Sequence, residues 1–196
     1  MPVHLDCGCC IVRSWRCGDE DSLARHADER GVWLNLRDRF PHPYTRSDAE
    51  QWVRFASGQA PETAFAIDLG GLAVGGIGVE LHGDIERCAG EIGYWLGRAF
   101  WGRGLATASV RKFSAYALRE YALTRVYALP FADNAASIRV LEKAGYRFEG
   151  RLRRAVVKDG VVQDVAVYAV TDEDLHPSRV GGDEIAAALP APSPAK

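Results

Sequence analysis

EIGYWLGRAFWGRGLATASVRKFSAYALREY, residues 91–121, is the stretch on which the reading of the chain turns. Residues 91–96 are rich in Ile, Tyr and Trp, as a strand requires. Gly97 ends that run, and Trp101-Gly102-Arg103-Gly104-Leu105-Ala106-Thr107 opens directly into a helical pattern. Ala106, Val110, Phe113, Ala117 and Tyr121 recur at spacings of four, three, four and four, one face of a helix. Arg111, Lys112, Arg119 and Glu120 fall on the other side. The stretch predicts strand, glycine-rich turn, helix.

The first turn of a helix carries N–H groups without intrahelical partners, and the helix dipole adds partial positive charge there. Glycines let the backbone curl around an anion with no Cβ in the way. Arg98 and Arg103 add full charges beside the turn. One reading is therefore a phosphate cradle at the start of the helix near Leu105; the other is a bare strand-to-helix turn. A P-loop is excluded, because no Gly-x-x-x-x-Gly-Lys followed by Ser or Thr occurs. A dinucleotide fingerprint fits poorly. Thr107 stands where a third Gly or Ala belongs, and the next strand, residues 125–131, carries no acidic residue.

Trp101-Gly102-Arg103-Gly104-Leu105-Ala106 resembles the acyl-coenzyme A pyrophosphate loop of the GNAT superfamily of N-acetyltransferases. Trp101 departs from the general Gln/Arg-x-x-Gly-x-Gly/Ala pattern, but the form Trp-Gly-Arg/Lys-Gly resembles the branch of ribosomal-protein N-terminal acetyltransferases. Asn134-Ala-Ala-Ser137-Ile-Arg-Val-Leu141-Glu-Lys-Ala-Gly145-Tyr146 is similar to a second motif of that branch. Glu149-Gly150-Arg151, followed by Lys158-Asp159-Gly160, Asp164 and Tyr168, is similar to a third. The resemblance covers roughly residues 9–172.

A chain of 196 residues makes one domain, with at most a tail. The hydrophobic share of 47% and charged share of 26% are those of an ordinary globular protein. A net charge of −2 gives no reason to expect nucleic acid as a partner. No apolar run is long enough to span a membrane, and Met1-Pro-Val-His-Leu-Asp-Cys lacks the features of a signal peptide. The expectation is a cytoplasmic protein. Four of five cysteines, Cys7, Cys9, Cys10 and Cys17, lie near His4, but their spacing matches no common zinc pattern. No metal is expected, and the thiols are read as free.

Along the chain, residues 10–15 read as a first strand and residues 19–30 as a helix stopped by Gly31. Residues 32–44 read as irregular, with Pro41 and Pro43. Ser47-Asp-Ala-Glu50 reads as a capping box for a helix ending by Gly58. Residues 63–68 and 72–81 pair across Gly70-Gly71, a two-residue turn, and Gly75, Gly76 and Gly78 mark bulges or close packing. Residues 125–131 read as a central strand, Asn134 as the cap of a helix ended by Gly145, and residues 146–170 as a long hairpin across Asp159-Gly160. From Pro177 the composition shifts to Pro and Ala, so the domain is taken as 1–176 and residues 177–196 as a disordered, dispensable tail.

This order predicts an α+β fold with one mixed sheet. The resemblance implies the GNAT fold: a mostly antiparallel sheet, flanked by helices, that splays between the strands at residues 91–96 and 125–131. The gap takes the pantetheine arm of acetyl-coenzyme A. The implied function is direct transfer of an acetyl group to a primary amine, on a protein N-terminus or a small molecule. The protein is then a monomer or a homodimer. Two other classes stay open: a non-catalytic acyl-coenzyme A sensor, and a dinucleotide-dependent oxidoreductase.

Acyl transfer needs a neutral amine and a stabilised oxyanion. An α-amine titrates near about 8, so a modest base suffices. Glu91 is the candidate base, since it shares a strand face with Gly93 and Trp95, which leaves room for substrate or water. Its alternative is an ion pair with Arg87 or Arg98. Two catalysts of relatives are missing: the Tyr seven residues after the Asn is Leu141, and the Glu seven residues after the Glu-Gly pair begins is Val156. Ser137 matches a Ser that faces the thiol in some relatives, or is simply a polar first-turn residue.

By resemblance, Tyr94, Trp95 and Leu96 offer backbone groups to the cofactor and the oxyanion. Trp101, Gly102, Arg103, Gly104, Leu105, Ala106 and Thr107 hold its pyrophosphate, and Asn134 its arm. Residues 35–44 resemble an acceptor-side loop, with Asn35, Arg37, Asp38, Phe40 and His42 as substrate contacts. Asp38 suits an ammonium group; His42 is read as structural or as a base.

Overall fold

The computed structural model describes residues 2–175. The tail from Pro177, and the domain boundary placed at its start, lie outside them. Eight strands form one sheet: β1 (His4–Asp6), β2 (Ile11–Ser14), β3 (Ala64–Leu69), β4 (Leu72–Leu81), β5 (Ala89–Leu96), β6 (Arg125–Ala128), β7 (Arg147–Lys158) and β8 (Val161–Thr171). Their spatial order is β1-β2-β3-β4-β5-β6-β8-β7. Every neighbouring pair is antiparallel except β5 and β6. That parallel pair needs a crossover, which α4 (Leu105–Glu120) supplies. Helices α1 (Glu20–Ala27), α2 (Arg30–Trp33) and α3 (Arg46–Ser57) lie between β2 and β3, α5 (Ala135–Ala144) between β6 and β7, and α6 (Asp172–Leu175) after β8.

Strand alternation divides the core into two layers. Phe65, Ile67 and Val74 pack in one cluster with Val110, Phe113 and Leu141 of α4 and α5. Ala66 and Ala73, between them in sequence, pack in the other with Leu23, Ala27 and Val53 of α1 and α3. The two hairpin turns form where the dipeptides Gly70-Gly71 and Asp159-Gly160 predict them. Gly70 and Gly71 have φ of +63° and +91°, and Asp159 and Gly160 have φ of +50° and +75°. Gly75 is a close-packing site: a Cβ there would stand 2.3 Å from the Trp95 carbonyl oxygen.

Four local expectations need correction. The helix expected over residues 19–30 ends at Ala27, and Gly31 lies inside the separate α2, whose start is capped by the Glu29 side chain. The capping box is Thr45 with Asp48, not Ser47 with Glu50; Thr45 is the residue with extended backbone, two positions earlier. Strand β1 was not expected, because three residues are too few for a pattern. The strand expected over residues 125–131 stops at Ala128, before Leu129 and Pro130. Proline has no N–H to give a ladder.

Candidate active site

The early end of β6 creates the site. β5 pairs with β6 at only three positions, Ala89 with Arg125, Gly90 with Val126 and Glu91 with Tyr127. Beyond Glu91 the strands part. β8 takes over the chain after β6: the Ala166 N–H donates to the Pro130 carbonyl at 2.9 Å, and Phe131 bridges Val165. Backbone groups of β5 on that side are left without a strand partner. A cavity of about 650 Å³ fills the split. Gly102, Gly104 and Thr107 line one end of it, Tyr94 and Ser137 the middle, and Asn35, Arg37 and Glu91 another part.

The glycine-rich end is built as an anion cradle. Gly102 and Gly104 have φ of +73° and +80°, and a Cβ added to either would meet nothing within 4 Å. Gly104 caps α4 with no side chain on its first N–H groups. A 16-residue helix thus presents unclaimed donors and its positive dipole end to open space. The Trp101 indole N–H donates to the Leu96 carbonyl at 2.8 Å, which ties the loop to the end of β5. Arg103 stacks over Phe100, 5.7 Å from the ring centre, while Arg98 pairs with Glu29 at 3.3 Å. A diphosphate fits such a backbone nest.

In the middle of the cavity, Asn134 caps α5: its side-chain oxygen accepts from the Ser137 N–H at 3.0 Å. The Tyr94 hydroxyl lies 2.7 Å from Ser137 Oγ and 3.2 Å from the Ser137 carbonyl. Burial pushes the Tyr94 phenol up to about 12, against the lowering effect of Ser137. It is a neutral hydroxyl at any physiological pH. The sequence suggested only a backbone role for Tyr94. The signal for its side chain was its place on the strand face opposite Glu91, which only the position of α5 makes meaningful.

At the Glu91 end, three consecutive residues dock on three strands. Arg37 pairs with Glu91 of β5, Asp38 with Lys158 of β7 at 2.7 Å, and Arg39 with Glu80 of β4 at 3.1 Å. Glu80 and Glu91 are direct cross-strand partners. Two like charges so placed repel, and the two arginines answer them. The Glu91 hydrogen bond holds the Arg37 guanidinium above its already high range. Lys158 is almost fully buried, with Nζ 3.7 Å from the centre of the Trp33 ring.

The expected site residues therefore separate. Glu91, Tyr94, Trp95, Leu96, Trp101, Gly102, Gly104, Leu105, Ala106, Thr107, Asn134 and Ser137 all line the cavity, as do Asn35 and Arg37. Arg103, Asp38, Phe40 and His42 do not line it. Phe40 packs on Tyr44 and Trp95, 4.8 and 5.5 Å between ring centres. His42 stacks on Trp33 at 5.6 Å and lies 3.6 Å from Asp28. The expected partners of Glu91 were Arg87 and Arg98; Arg87 turns to the Asp84 carbonyl, Arg98 to Glu29, and Arg37 takes the place. Among the described residues no group of three or more His, Cys, Asp or Glu is arranged to hold a metal.

Residues 10–147 match the family described as acetyltransferase (GNAT) domain. The chain belongs to the GNAT acetyltransferase family. This GNAT domain is 42% identical over 83 residues to a Bacillus subtilis protein named "Probable N-acetyltransferase YjcK", covering 42% of this chain and 46% of that one. Such matches span about half the length of the curated relatives. The structure of Mycobacterium smegmatis RimJ, solved in complex with CoA-disulfide, is similar with a TM-score of 0.76 and 25% identity, over 90% of this chain and 88% of that one. RimL, described as a ribosomal L7/L12 alpha-N-protein acetyltransferase and solved in complex with coenzyme A, shares the fold with a TM-score of 0.75 at 19% identity, over 86% and 98%. The split mixed sheet is the GNAT fold that the motifs led one to expect.

Proposed function

We propose that this GNAT domain is an acetyl-coenzyme A-dependent N-acetyltransferase that acts on a primary amine, on a protein N-terminus or a small molecule. The observation that carries the reading is one continuous cavity. It runs from an uncapped glycine cradle, through a sheet split, to a carboxylate. The cradle residues suit a diphosphate and the split suits an extended amide-bearing arm that pairs with β5 as an added strand. That RimJ and RimL were crystallised with forms of coenzyme A supports the same ligand here.

Acetyl-coenzyme A, held by the Gly102–Thr107 cradle and the split, would supply an activated acyl carbon for the amine and a thiolate leaving group. Glu91 takes the proton that the amine must lose, directly or through water. The unpaired amides of β5 beyond Glu91 stabilise the oxyanion. Ser137, fixed by the Tyr94 hydroxyl, donates toward the departing thiolate, so two residues stand in for the family Tyr that Leu141 replaces. A thiolate is a weak base, near about 8.5 for a cysteine, so this help is useful rather than essential. All five cysteines are free, which fits a reducing cytoplasm.

Calorimetry with coenzyme A, melts with acetyl-coenzyme A or NAD(P), and thiol release against N-terminal peptides and small amines test the reading. Acetyl-coenzyme A should bind and stabilise, NAD(P) should not, and at least one amine should be consumed with stoichiometric thiol release. Absence of coenzyme A binding would refute it. Binding without turnover of any amine would make the protein a sensor.

A further inference from the structure

The acceptor end of the cavity is occupied by one of the chain's own ion pairs. Arg37 reaches 54 residues along the sequence to Glu91, whose side chain is 17% exposed against 57% for Arg37. Arg37 holds one carboxylate oxygen of Glu91, Oε1, and an amine that approaches that oxygen must take the place of the guanidinium. The displaced guanidinium, 57% exposed, then faces water unless the acceptor brings it an anion. It cannot retreat far, because Asp38 and Arg39, the two residues that follow it, are tied to Lys158 and Glu80. Glu80, the nearest alternative across the strand, is already engaged by Arg39.

From this we infer that the acceptor is an amine that carries an anionic group within about one residue of the amine nitrogen. Such a molecule divides the resting pair: its ammonium faces Glu91 and its carboxylate or phosphate faces Arg37. An acceptor with cationic groups alone gives Arg37 no new partner and adds repulsion. Polyamines and lysine-rich N-termini are disfavoured; N-terminal segments with Asp or Glu beside the α-amine are favoured. Displacement also uncovers the base only when an acceptor of this kind has arrived. The inference rests on the acetyltransferase reading, and deepens it.

The test uses three peptide amides, Ala-Asp-Ala, Ala-Asn-Ala and Ala-Lys-Ala, together with spermidine. The amide ends remove any terminal carboxylate. Thiol release gives kcat/KM for each, and calorimetry gives coenzyme A affinity for every protein used. The Asp peptide should exceed the Asn peptide about tenfold, the low end for a charge-assisted hydrogen bond because Arg37 is partly exposed. The Lys peptide and spermidine should be poorest. In Arg37→Gln, with coenzyme A affinity retained, the Asp preference should fall to about unity. Equal rates for the three peptides, preference for the Lys peptide or spermidine, or an Asp preference that survives Arg37→Gln would each overturn the inference. So would coenzyme A binding with no turnover of any of the four. Absence of coenzyme A binding overturns the acetyltransferase reading itself, which separates the two failures.

Discussion

Glu91→Gln tests the proposed chemistry most directly. The substitution keeps the side chain's shape and one oxygen for Arg37, but removes the charge and the capacity to take a proton. General-base assistance is worth about 10² to 10⁴ in rate. Here the low end, about hundredfold in kcat near pH 7, is expected. A glutamine oxygen can still accept a hydrogen bond from the amine and orient it, so only proton removal is lost. The pH dependence has a definite sign. An α-amine titrating near about 8 is roughly one-tenth neutral at pH 7 and nine-tenths neutral at pH 9. A variant that depends on amines already deprotonated should recover about tenfold over that window, so its deficit shrinks as pH rises. Arg37 does not titrate there, since the Glu91 bond holds its guanidinium above an already high range. Thiol release at saturating acetyl-coenzyme A, from pH 7 to 9.5, reads the effect, with coenzyme A affinity as the control for folding. Unchanged turnover, or a deficit that does not vary with pH, would refute the assignment of Glu91 as base.

The other predictions use the same assays. Gly104→Ala places a Cβ at φ +80°, strained by about 1 to 2 kcal/mol, and points it into the open cradle; coenzyme A affinity should fall at least about tenfold, and an unaltered affinity in the folded variant would place the cradle elsewhere. Tyr94→Phe removes the hydroxyl partner of Ser137 Oγ and should lower kcat about tenfold without altering coenzyme A affinity; equal kcat would deny Ser137 and Tyr94 a part in thiolate departure. Lys158→Met keeps the length of a nearly buried side chain but frees Asp38, which is 73% exposed and can rehydrate; acceptor KM should rise several-fold while coenzyme A affinity holds, and parallel losses in both would mark Lys158 as merely structural.

What could be read from the sequence was what is local in physics. Gly102 and Gly104 announce left-handed backbone because a side chain is unwelcome there, and the helix from Leu105 announces itself by spacing. Asn134 and Gly145 bracket α5 because the two helix ends need different chemistry. The hairpin pairs Gly70-Gly71 and Asp159-Gly160 are equally local. Where a local signal had a near-equal rival it slipped: Ser47 and Thr45 are both fair caps, and only the extended backbone at Thr45 separates them.

The acceptor side was harder to read for a reason that bears on function. Arg37, Asp38 and Arg39 form an unremarkable charged run on a loop, and nothing in their spacing names Glu91, Lys158 or Glu80 as partners. The partners follow from β4 and β5 register, which sets Glu80 beside Glu91, and from the length of β7, which carries Lys158 to the same loop. A pair of carboxylates forced together by register is unfavourable unless cations come to it. The loop supplies two, and Arg37, the one that lines the cavity, is replaceable by a cation of the acceptor at no loss only if that acceptor brings an anion in return. Substrate selection would then be built from the same charges that hold the loop down. On this argument the loop can change its acceptor only by changing how it is fastened. Relatives with a different residue at the position of Arg37 should therefore differ both in acceptor charge and in the residue opposite Glu91.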